Sequence, residues 1–259
     1  MRIGIDVTML QVRQGRHGIG SYLRGLVGGL ARTAGHEYAL LAWRAPALEL
    51  PALPPHFRVI ALPTPAIGRG RALFTHQIAL PAVARRARLD LLHIPGVAVT
   101  ASMPSAPLWP SVPVVLTVHD LIPLLFPDAV LPRRRHRVFY RLMLRAGERA
   151  AGIVCDSEHT RGDLIRRLGV PAARVSVAPL AAAASFTPDP VAPENGRSRG
   201  LPADFVLHVG GPAPTKNLRG LLAAMSALWD RGLGDHLVSV SSVPFDPASN
   251  SARATLREK

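Results

Sequence analysis

The chain has 259 residues, of which 48% are hydrophobic, and its formal net charge at pH 7 is +14. These values indicate a packed globular protein of one large or two modest domains, and the charge predicts attraction to phosphates, nucleic acid or an anionic membrane surface. No apolar run approaches the roughly 18 residues of a membrane span, and the N-terminus lacks a signal-peptide pattern, so neither is predicted. The single cysteine, Cys155, fits a reducing cytoplasm and lies in an apolar run typical of a buried strand.

Strand and helix patterns alternate along the first part of the chain. Strands are predicted at 2–7, 38–43, 57–62, 90–94, 113–118, 152–156 and 174–178, and helices at 19–32, about 72–88, 135–150 and 158–168. Segments 44–56 and 95–111 have the composition of loops. Most of the strands are short apolar runs, as expected where helices cover both faces of a parallel sheet, so the sequence predicts a doubly wound α/β domain.

Residues 181–203 interrupt this alternation with small, polar and proline residues, which predicts a linker. The pattern then restarts with a strand at 205–209, a loop "GGPAPTKN", a helix at 218–231 and a strand at 236–241. The predicted organisation is a complete N-terminal Rossmann-like domain over 1–180, the linker over 181–203, and a second Rossmann-like domain over 204–259. We expect the second domain to be incomplete, because a self-standing domain usually needs about 100 residues or more.

Ligands of open α/β sheets bind beyond the carboxyl ends of the strands, which selects four segments of this sequence. They are the corner at Gly18 and Gly20, "VHD" with His119 and Asp120, "CDSEHT" with Asp156, Ser157, Glu158 and His159, and "GGPAPTKN" with Lys216 and Asn217. The sequence contains no C-x-x-C or H-E-x-x-H metal pattern, no G-x-S-x-G nucleophile elbow and no G-x-G-x-x-G dinucleotide fingerprint.

Each strand-end residue has a structural as well as a functional interpretation. His119 is a hydrogen-bond donor, a general base, or a histidine bonded at the sheet edge. Ser157 is predicted to cap the helix that Gly169 ends, and capping also explains a carboxylate at Glu158 in the first turn. His159 is either a site residue or an exposed helix residue.

Gly18, Gly20 and Lys216 also have both a structural and a ligand-binding interpretation. Gly18 and Gly20 precede a helix, where backbone N–H groups approach a bound anion, or they only form a tight turn. Lys216 stands just before a helix, where it is either a diphosphate ligand or a solvated loop lysine.

Five segments in order resemble the retaining family-4 glycosyltransferases of the GT-B fold. They are "RIGIDVTML…HGIGSYLRGL", "LLHIPG", "VVLTVHDLIPLLFPD", "IVCDSEHTRGDLIRRLGVPAARVSVAPLAAAASFTP" and "FVLHVGGPAPTKNLRGLLAAM". The resemblance implies two facing Rossmann-like domains, the first binding mainly the acceptor and the second mainly the nucleotide-sugar donor. It also implies a hexosyl transfer with retention and without metal or other cofactor, the nucleotide-sugar being a co-substrate.

The resemblance also assigns roles to particular residues. His119 matches the family histidine beneath the transferred sugar, and Lys216 matches the lysine that neutralises the diphosphate leaving group. Gly18, Gly20 and Asn217 are expected at the donor phosphates with Lys216. On the acceptor side the candidates are Asp120, Ser157, Glu158 and His159.

Two departures from the family pattern affect the expected activity. Thr215 stands where the family usually has arginine, and the acidic motif of the donor domain is absent from the sequence. We therefore expect a C-terminally truncated glycosyltransferase that is inactive as this chain, acting on a glycan or lipid-linked acceptor. The alternative is a non-catalytic α/β remnant that binds an anionic ligand or nucleic acid, although an aromatic content of 5% disfavours nucleic acid.

A basic helix adds a membrane surface to the expected partners. Arg137, Arg141, Arg145 and Arg149 recur every four residues beside an apolar stripe of Val138, Leu142 and Ala146. This pattern is either the solvated face of a core helix or a surface that binds anionic lipid. A cytoplasmic protein, peripheral on the inner membrane face, is expected from the second interpretation.

Overall fold

A computed structural model of the chain describes residues 1–12, 18–44, 50, 52–63, 71–96, 106–131, 133–183, 186, 200–202, 204–211, 213–233 and 236–240. The chain divides into two compact units, Met1–Ala183 and Ala184–Lys259. Most of the predicted linker 181–203 lies outside the described residues. No helix among the described residues is long and apolar enough to cross a bilayer.

The described part of the first unit contains a seven-stranded sheet in which every neighbouring pair is parallel. Its strands are β1 (Arg2–Asp6), β2 (Glu37–Ala42), β3 (Phe57–Ala61), β4 (Leu91–Pro95), β5 (Val114–Val118), β6 (Gly152–Cys155) and β7 (Val175–Val177). Their spatial order is β3-β2-β1-β4-β5-β6-β7. All seven predicted strands are confirmed, and no end differs by more than one residue.

Both faces of this sheet are covered, as the apolar strand sequences predict. Strand β2 shows this directly, because Leu40 packs in one core cluster with Leu23 of the first helix, whereas Leu41 packs in the other with Leu80. All four of these side chains have 0% exposure. The predicted doubly wound α/β domain is therefore confirmed.

The helices of the first unit begin and end close to the predicted positions. They are α1 (Gly18–Leu30), α2 (Arg71–Phe74), α3 (Leu80–Arg86), α4 (Ile122–Leu125), α5 (Pro127–Val130), α6 (Arg134–Glu148) and α7 (Glu158–Leu168). The sequence did not predict the one-turn helices α4 and α5. Helix α7 has the predicted ends, since the Ser157 side chain accepts a hydrogen bond from Thr160 N and Gly169 adopts a left-handed conformation with φ of 64°.

The predicted helix at about 72–88 is interrupted by a π-helical segment, Thr75–Ala79. The cause is Pro81, which has no N–H to donate and whose ring crowds the carbonyl four residues earlier. The widened turn buries Thr75 and His76. The His76 Nε2 lies 3.2 Å from the Asp6 Oδ2, and Thr75 Oγ1 accepts a hydrogen bond from the Trp43 indole.

Helix α6 buries only part of the predicted apolar stripe. His136, Tyr140 and Met143 are buried, whereas Val138 is 47% exposed. The apolar cluster that Tyr140 and Met143 form with Leu131 determines which face is buried. The prediction that Val138 belongs to one apolar stripe of the helix with Ala146 is therefore wrong for Val138.

The second unit contains the βαβ pattern predicted for it. Its described elements are β8 (Phe205–Val209), α8 (Leu218–Trp229) and β9 (His236–Val240), and the two strands are parallel. Helix α8 buries Leu218, Leu222 and Met225.

Candidate functional site

A histidine–aspartate pair lies at the carboxyl ends of two adjacent strands. His119 follows β5 and Asp156 follows β6, and the His119 Nδ1 lies 2.6 Å from the Asp156 Oδ2. Because a carboxylate oxygen only accepts, Nδ1 carries the hydrogen and the pair fixes the ring tautomer. Within the described residues, His119 Nε2 and Asp156 Oδ1 are buried without a hydrogen-bond partner. In the neutral ring, Nε2 therefore presents an unused lone pair.

The first turn of α7 fixes the backbone of the same histidine. Thr160 Oγ1 donates a hydrogen bond to the His119 carbonyl oxygen over 3.2 Å. Ser157 Oγ in turn accepts from Thr160 N, also over 3.2 Å. The segment "CDSEHT" thus forms two hydrogen bonds with His119. Asp156 bonds to its ring, and Thr160 bonds to its backbone carbonyl.

Tyr22 from α1 also contacts the His119 ring. The two rings meet edge to face, with centroids 4.7 Å apart and an interplanar angle of 83°. The Tyr22 hydroxyl forms a 3.1 Å hydrogen bond with Thr117 Oγ1, which also lies 2.9 Å from the His93 Nε2. Burial lowers the pKa of His93 to about 4, so this histidine is neutral at pH 7.

Gly96, directly after β4, leaves the room that the His119 ring occupies. Its φ is +107°, a backbone conformation that side chains with a Cβ rarely adopt. A Cβ at this position would lie 3.3 Å from the Ile19 Cγ2 and 3.4 Å from the His119 Nε2. The close packing of α1, β4 and His119 therefore depends on glycine here.

Replacing Gly96 with alanine is expected to destabilise the protein by about 1–3 kcal/mol, from backbone strain and contact with two side chains. Urea unfolding measures this free energy, and the ring 15N shifts of His119 report its displacement. Gly25→Ala in α1 is the matched control, because its Cβ meets nothing within 4 Å. We expect that change to stabilise the protein by about 0.5–1 kcal/mol. Equal effects of both substitutions would contradict the packing argument.

Several of the predicted site residues line one cavity of about 470 Å³ in the first unit. Gly18 of the first α1 turn, His119, Asp120 and Asp156 contribute to its lining. Gly18 and Gly20 belong to the helix itself, and a Cβ on Gly18 would meet no atom within 4 Å. Asp120 accepts a 2.9 Å hydrogen bond from the Ile122 N–H at the start of α4.

The other acceptor-side candidates have partners within α7 and do not line this cavity. Ser157 caps the helix, as described above. Glu158 pairs with Arg161 at 3.4 Å, and the exposed His159 lies 3.5 Å from Asp163. The structure thus brings Asp120 beside His119 and leaves Glu158 and His159 on the helix surface.

Lys216 and Asn217 lie in the second unit, between β8 and α8. Lys216 ends a 3-10 turn, Pro214–Lys216, and Asn217 adopts a left-handed conformation with φ of 49° immediately before α8. Both residues are exposed. Gly210 lies close by, since a Cβ on it would be 3.7 Å from the Lys216 Cδ. An ammonium group and the free N–H groups of a helix N-terminus are thus on adjacent residues, an arrangement suited to an anion.

The sequence analysis named Asp156 at a strand end but assigned it no role, and it did not single out Tyr22, Gly96 or Thr160 for binding or catalysis. Asp156 carried a usable signal, because it directly follows a strand that neighbours the strand before His119. The described residues contain no group of three or more histidine, cysteine, aspartate or glutamate side chains arranged to hold a metal ion.

The strand order and the side chains collected at the carboxyl ends define a Rossmann-like α/β protein. A profile described as Glycosyltransferase Family 4 matches residues 16–182. The chain belongs to this family, and the predicted glycosyltransferase resemblance is confirmed. A comparison with curated protein sequences finds no significant match.

Solved structures of similar fold include glycosyltransferases of the GT-B type. Sucrose-phosphate synthase from Thermosynechococcus elongatus has a TM-score of 0.59 and 18% identity, covering 97% of this chain and 64% of that one. WaaG, a glycosyltransferase involved in lipopolysaccharide biosynthesis, has a TM-score of 0.55 and 12% identity, covering 95% and 65%. Anabaena HepE in complex with UDP-glucose has a TM-score of 0.53 and 16% identity, covering 93% and 60%. The chain thus spans 60% to 65% of the length of these structures.

Proposed function

We propose that this chain supplies the acceptor side, and part of the donor side, of a retaining glycosyltransferase. The enzyme would transfer a hexosyl group from a nucleotide-sugar to a glycan or lipid-linked acceptor. The observation that carries this proposal is the His119–Asp156 pair at the strand ends, in a chain that belongs to Glycosyltransferase Family 4. The complex of the similar HepE with UDP-glucose supports a nucleotide-sugar as the donor.

In this proposal the two units have separate roles. The unpartnered Nε2 of His119 accepts a hydrogen bond from a sugar or acceptor hydroxyl, while Asp156 keeps the ring in position. Lys216, Asn217 and the N-terminus of α8 stabilise the departing diphosphate by electrostatics. Gly18 and Gly20 of α1 stay candidates for binding the donor phosphates. Asp120, Ser157, Glu158 and His159 stay acceptor-side candidates, and neither a metal nor another cofactor is proposed.

Titration with UDP-glucose tests the donor half of the proposal. We expect weak binding through the diphosphate, and Lys216→Ala to weaken it about 10-fold or more, as the loss of a charge-assisted hydrogen bond implies. Lys259→Ala is the control, because Lys259 is the only other lysine of the sequence. The chain spans only part of its relatives, so we expect no transfer from UDP-, GDP- or ADP-sugars. Measurable turnover contradicts the proposed inactivity, and no binding of any nucleotide-sugar at millimolar concentration contradicts the donor site.

A cytoplasmic location at an anionic membrane surface is part of the same proposal. Arg141 and Arg145 are exposed on α6, and Arg137 joins this helix to Asp128 of α5 over 2.6 Å. The same region exposes apolar side chains, with Phe126 at 53% and Val138 at 47%. Exposed arginines beside exposed apolar groups are typical of a surface that lies in the headgroup region.

Sedimentation with phosphatidylglycerol vesicles tests this surface. We expect binding at low salt and its loss at physiological ionic strength, because each basic residue near an anionic bilayer contributes about 1 kcal/mol. The double change Arg141→Glu and Arg145→Glu should weaken binding at least 10-fold. Arg85→Glu with Arg86→Glu on α3 makes the same charge change elsewhere and is the control. Binding that is insensitive to salt and to the α6 changes refutes the surface.

A further inference from the structure

The cavity beside His119 extends far into the apolar interior of the first unit. Besides the strand-end residues, its lining includes Leu116 of β5, Ile153 of β6 and Leu164 of α7. Leu116 and Ile153 are register partners and stand three residues before His119 and Asp156, which is about 10 Å along a strand. A cavity of about 470 Å³ is within the range of roughly 300–1,000 Å³ typical of small-molecule sites.

Gly147 widens this cavity from the side of α6. It is the single glycine of that helix, and it lines the cavity. A Cβ at this position would meet one neighbouring atom, the Leu116 Cδ1, at an ordinary contact distance of 3.8 Å. Glycine inside a helix disfavours the helix relative to alanine, so α6 has an unfavourable residue at a position where a larger one fits.

Three buried polar atoms on residues that line the cavity have no hydrogen-bond partner in the described part of the chain. They are the His119 Nε2, the Asp156 Oδ1 and the hydroxyl oxygen of Tyr140, a residue that is 5% exposed. Burial and the nearby Asp120 charge raise the pKa of Tyr140 to about 12, so its hydroxyl keeps its hydrogen. Buried polar groups are normally paired, because leaving one unpaired costs its full desolvation. The three atoms, two acceptors and a hydroxyl, therefore favour a ligand that carries a hydroxyl group.

We propose that this cavity binds the acceptor as an alcohol with a hydrocarbon body. The ligand hydroxyl donates to the His119 Nε2, and its hydrocarbon chain occupies the apolar space between α6, α7 and the sheet. This inference rests on the proposed function and names the acceptor class within it. It favours a lipid-like alcohol over a free glycan, because an all-polar sugar would leave its hydroxyls unpaired against leucine, isoleucine and methionine side chains.

Methyl NMR of the full chain, labelled with 13C at the methionine methyl groups, tests the proposal. Met143 lines the cavity, whereas Met9 and Met225 do not and serve as internal controls. The probes are 1-hexanol, 1-octanol and 1-decanol. We expect saturable shifts of the Met143 methyl alone, with binding that tightens about fourfold for each methylene that the cavity buries. The ether 1-methoxyheptane, which cannot donate a hydrogen bond, should bind about 10-fold more weakly than 1-octanol.

Two substitutions at one position provide the matched variants. Gly147→Leu should fill the cavity and weaken 1-octanol binding at least 10-fold, while Gly147→Ala should leave binding unchanged. Unaltered Met9 and Met225 shifts show that each variant is folded. If Gly147→Leu does not fold, the alcohol series on the native chain decides by itself.

The proposal is overturned if no alcohol gives a saturable Met143 shift, or if affinity does not increase with chain length. Equal affinity in Gly147→Leu and the native chain overturns it as well. A Met143 shift with glucose as large as with 1-octanol also contradicts it and indicates a glycan acceptor. The proposed function is tested by a different experiment, the titration of the native chain and of Lys216→Ala with UDP-glucose. Its failure can therefore be distinguished from failure of the alcohol site.

Discussion

Replacing Asp156 with alanine is expected to reverse the tautomer of His119. In a protein that joins Met1–Ala183 to a functional donor domain, the same change is expected to lower the rate of sugar transfer about 100-fold. The His119 Nδ1 donates to Asp156 across 2.6 Å, which leaves Nε2 free to accept. Without the carboxylate, nothing holds the hydrogen on Nδ1, and any charge that develops on the ring loses its partner. Asp156 acts through His119 and is therefore a positioning residue.

The tautomer is measured on the 259-residue chain by long-range 1H–15N correlation of the His119 ring. The native chain should show the hydrogen on Nδ1, and Asp156→Ala should show it on Nε2. Glu158→Ala is the matched control, because it removes a neighbouring carboxylate that pairs with Arg161 on the surface of α7. An unchanged His119 tautomer in Asp156→Ala, or the same change in Glu158→Ala, would refute the role of Asp156.

The architecture of the first unit could be predicted because its strands are short apolar runs and its helices have clear ends. Leu40 and Leu41 are both apolar, which indicates a strand buried on both faces, and the structure places them in opposite core clusters. The π-helical segment was missed, because its cause is a proline inside a sequence that otherwise has helical spacing. The prediction for Val138 was wrong because residue spacing shows which side chains share a face of a helix. It does not show which face packs against the rest of the protein.

The candidate site was predictable only in part. A strand-end rule finds His119 from local sequence, but its partner Asp156 lies 37 positions away, and only strand adjacency brings the two together. Tyr22 and Gly96 were missed for the same reason, since their roles are contacts with the His119 ring. The cavity was not predictable, because it depends on how α6 packs over the sheet.

Replacing Asp6 with asparagine is expected to destabilise the protein by about 3–5 kcal/mol, the usual effect of breaking a buried ion pair. The Asp6 Oδ2 lies 3.2 Å from the His76 Nε2, with side-chain exposures of 4% and 9%. Burial acts to raise the pKa of Asp6, but the hydrogen bond and charge of His76, together with hydrogen bonds from Thr8, outweigh it, and the pKa lies below the usual 3.8. Burial acts to lower the pKa of His76, but Asp6 and a hydrogen bond to the Ala72 carbonyl raise it above 6.5. Asp128→Asn is the control, because Asp128 pairs with Arg137 but is 92% exposed, so the unfolding midpoint should hardly change.

The two shifts give this pair a defined pH dependence. The Asp6 contribution is present above pH 3.8 and is lost as the pH falls through the lowered pKa of the folded protein. The His76 contribution is present below pH 6.5 and is lost as the pH rises through its raised pKa. The pair therefore stabilises the protein most between pH 3.8 and pH 6.5. His93 acts in the opposite direction, since its pKa of about 4 makes the protein less stable as the pH falls from 6.5.

Because His93 is unchanged in Asp6→Asn, the difference in unfolding free energy between the native chain and this variant isolates the pair. Urea unfolding at pH 5, 7 and 9 should give the largest difference at pH 5 and a smaller one at pH 9, because the His76 contribution decreases as the pH rises above 6.5. A His93→Gln change should remove the acid-side loss without altering that difference. A difference that is constant across the three pH values would show that Asp6 stabilises the π-helical segment through hydrogen bonds alone and not through the charge of His76.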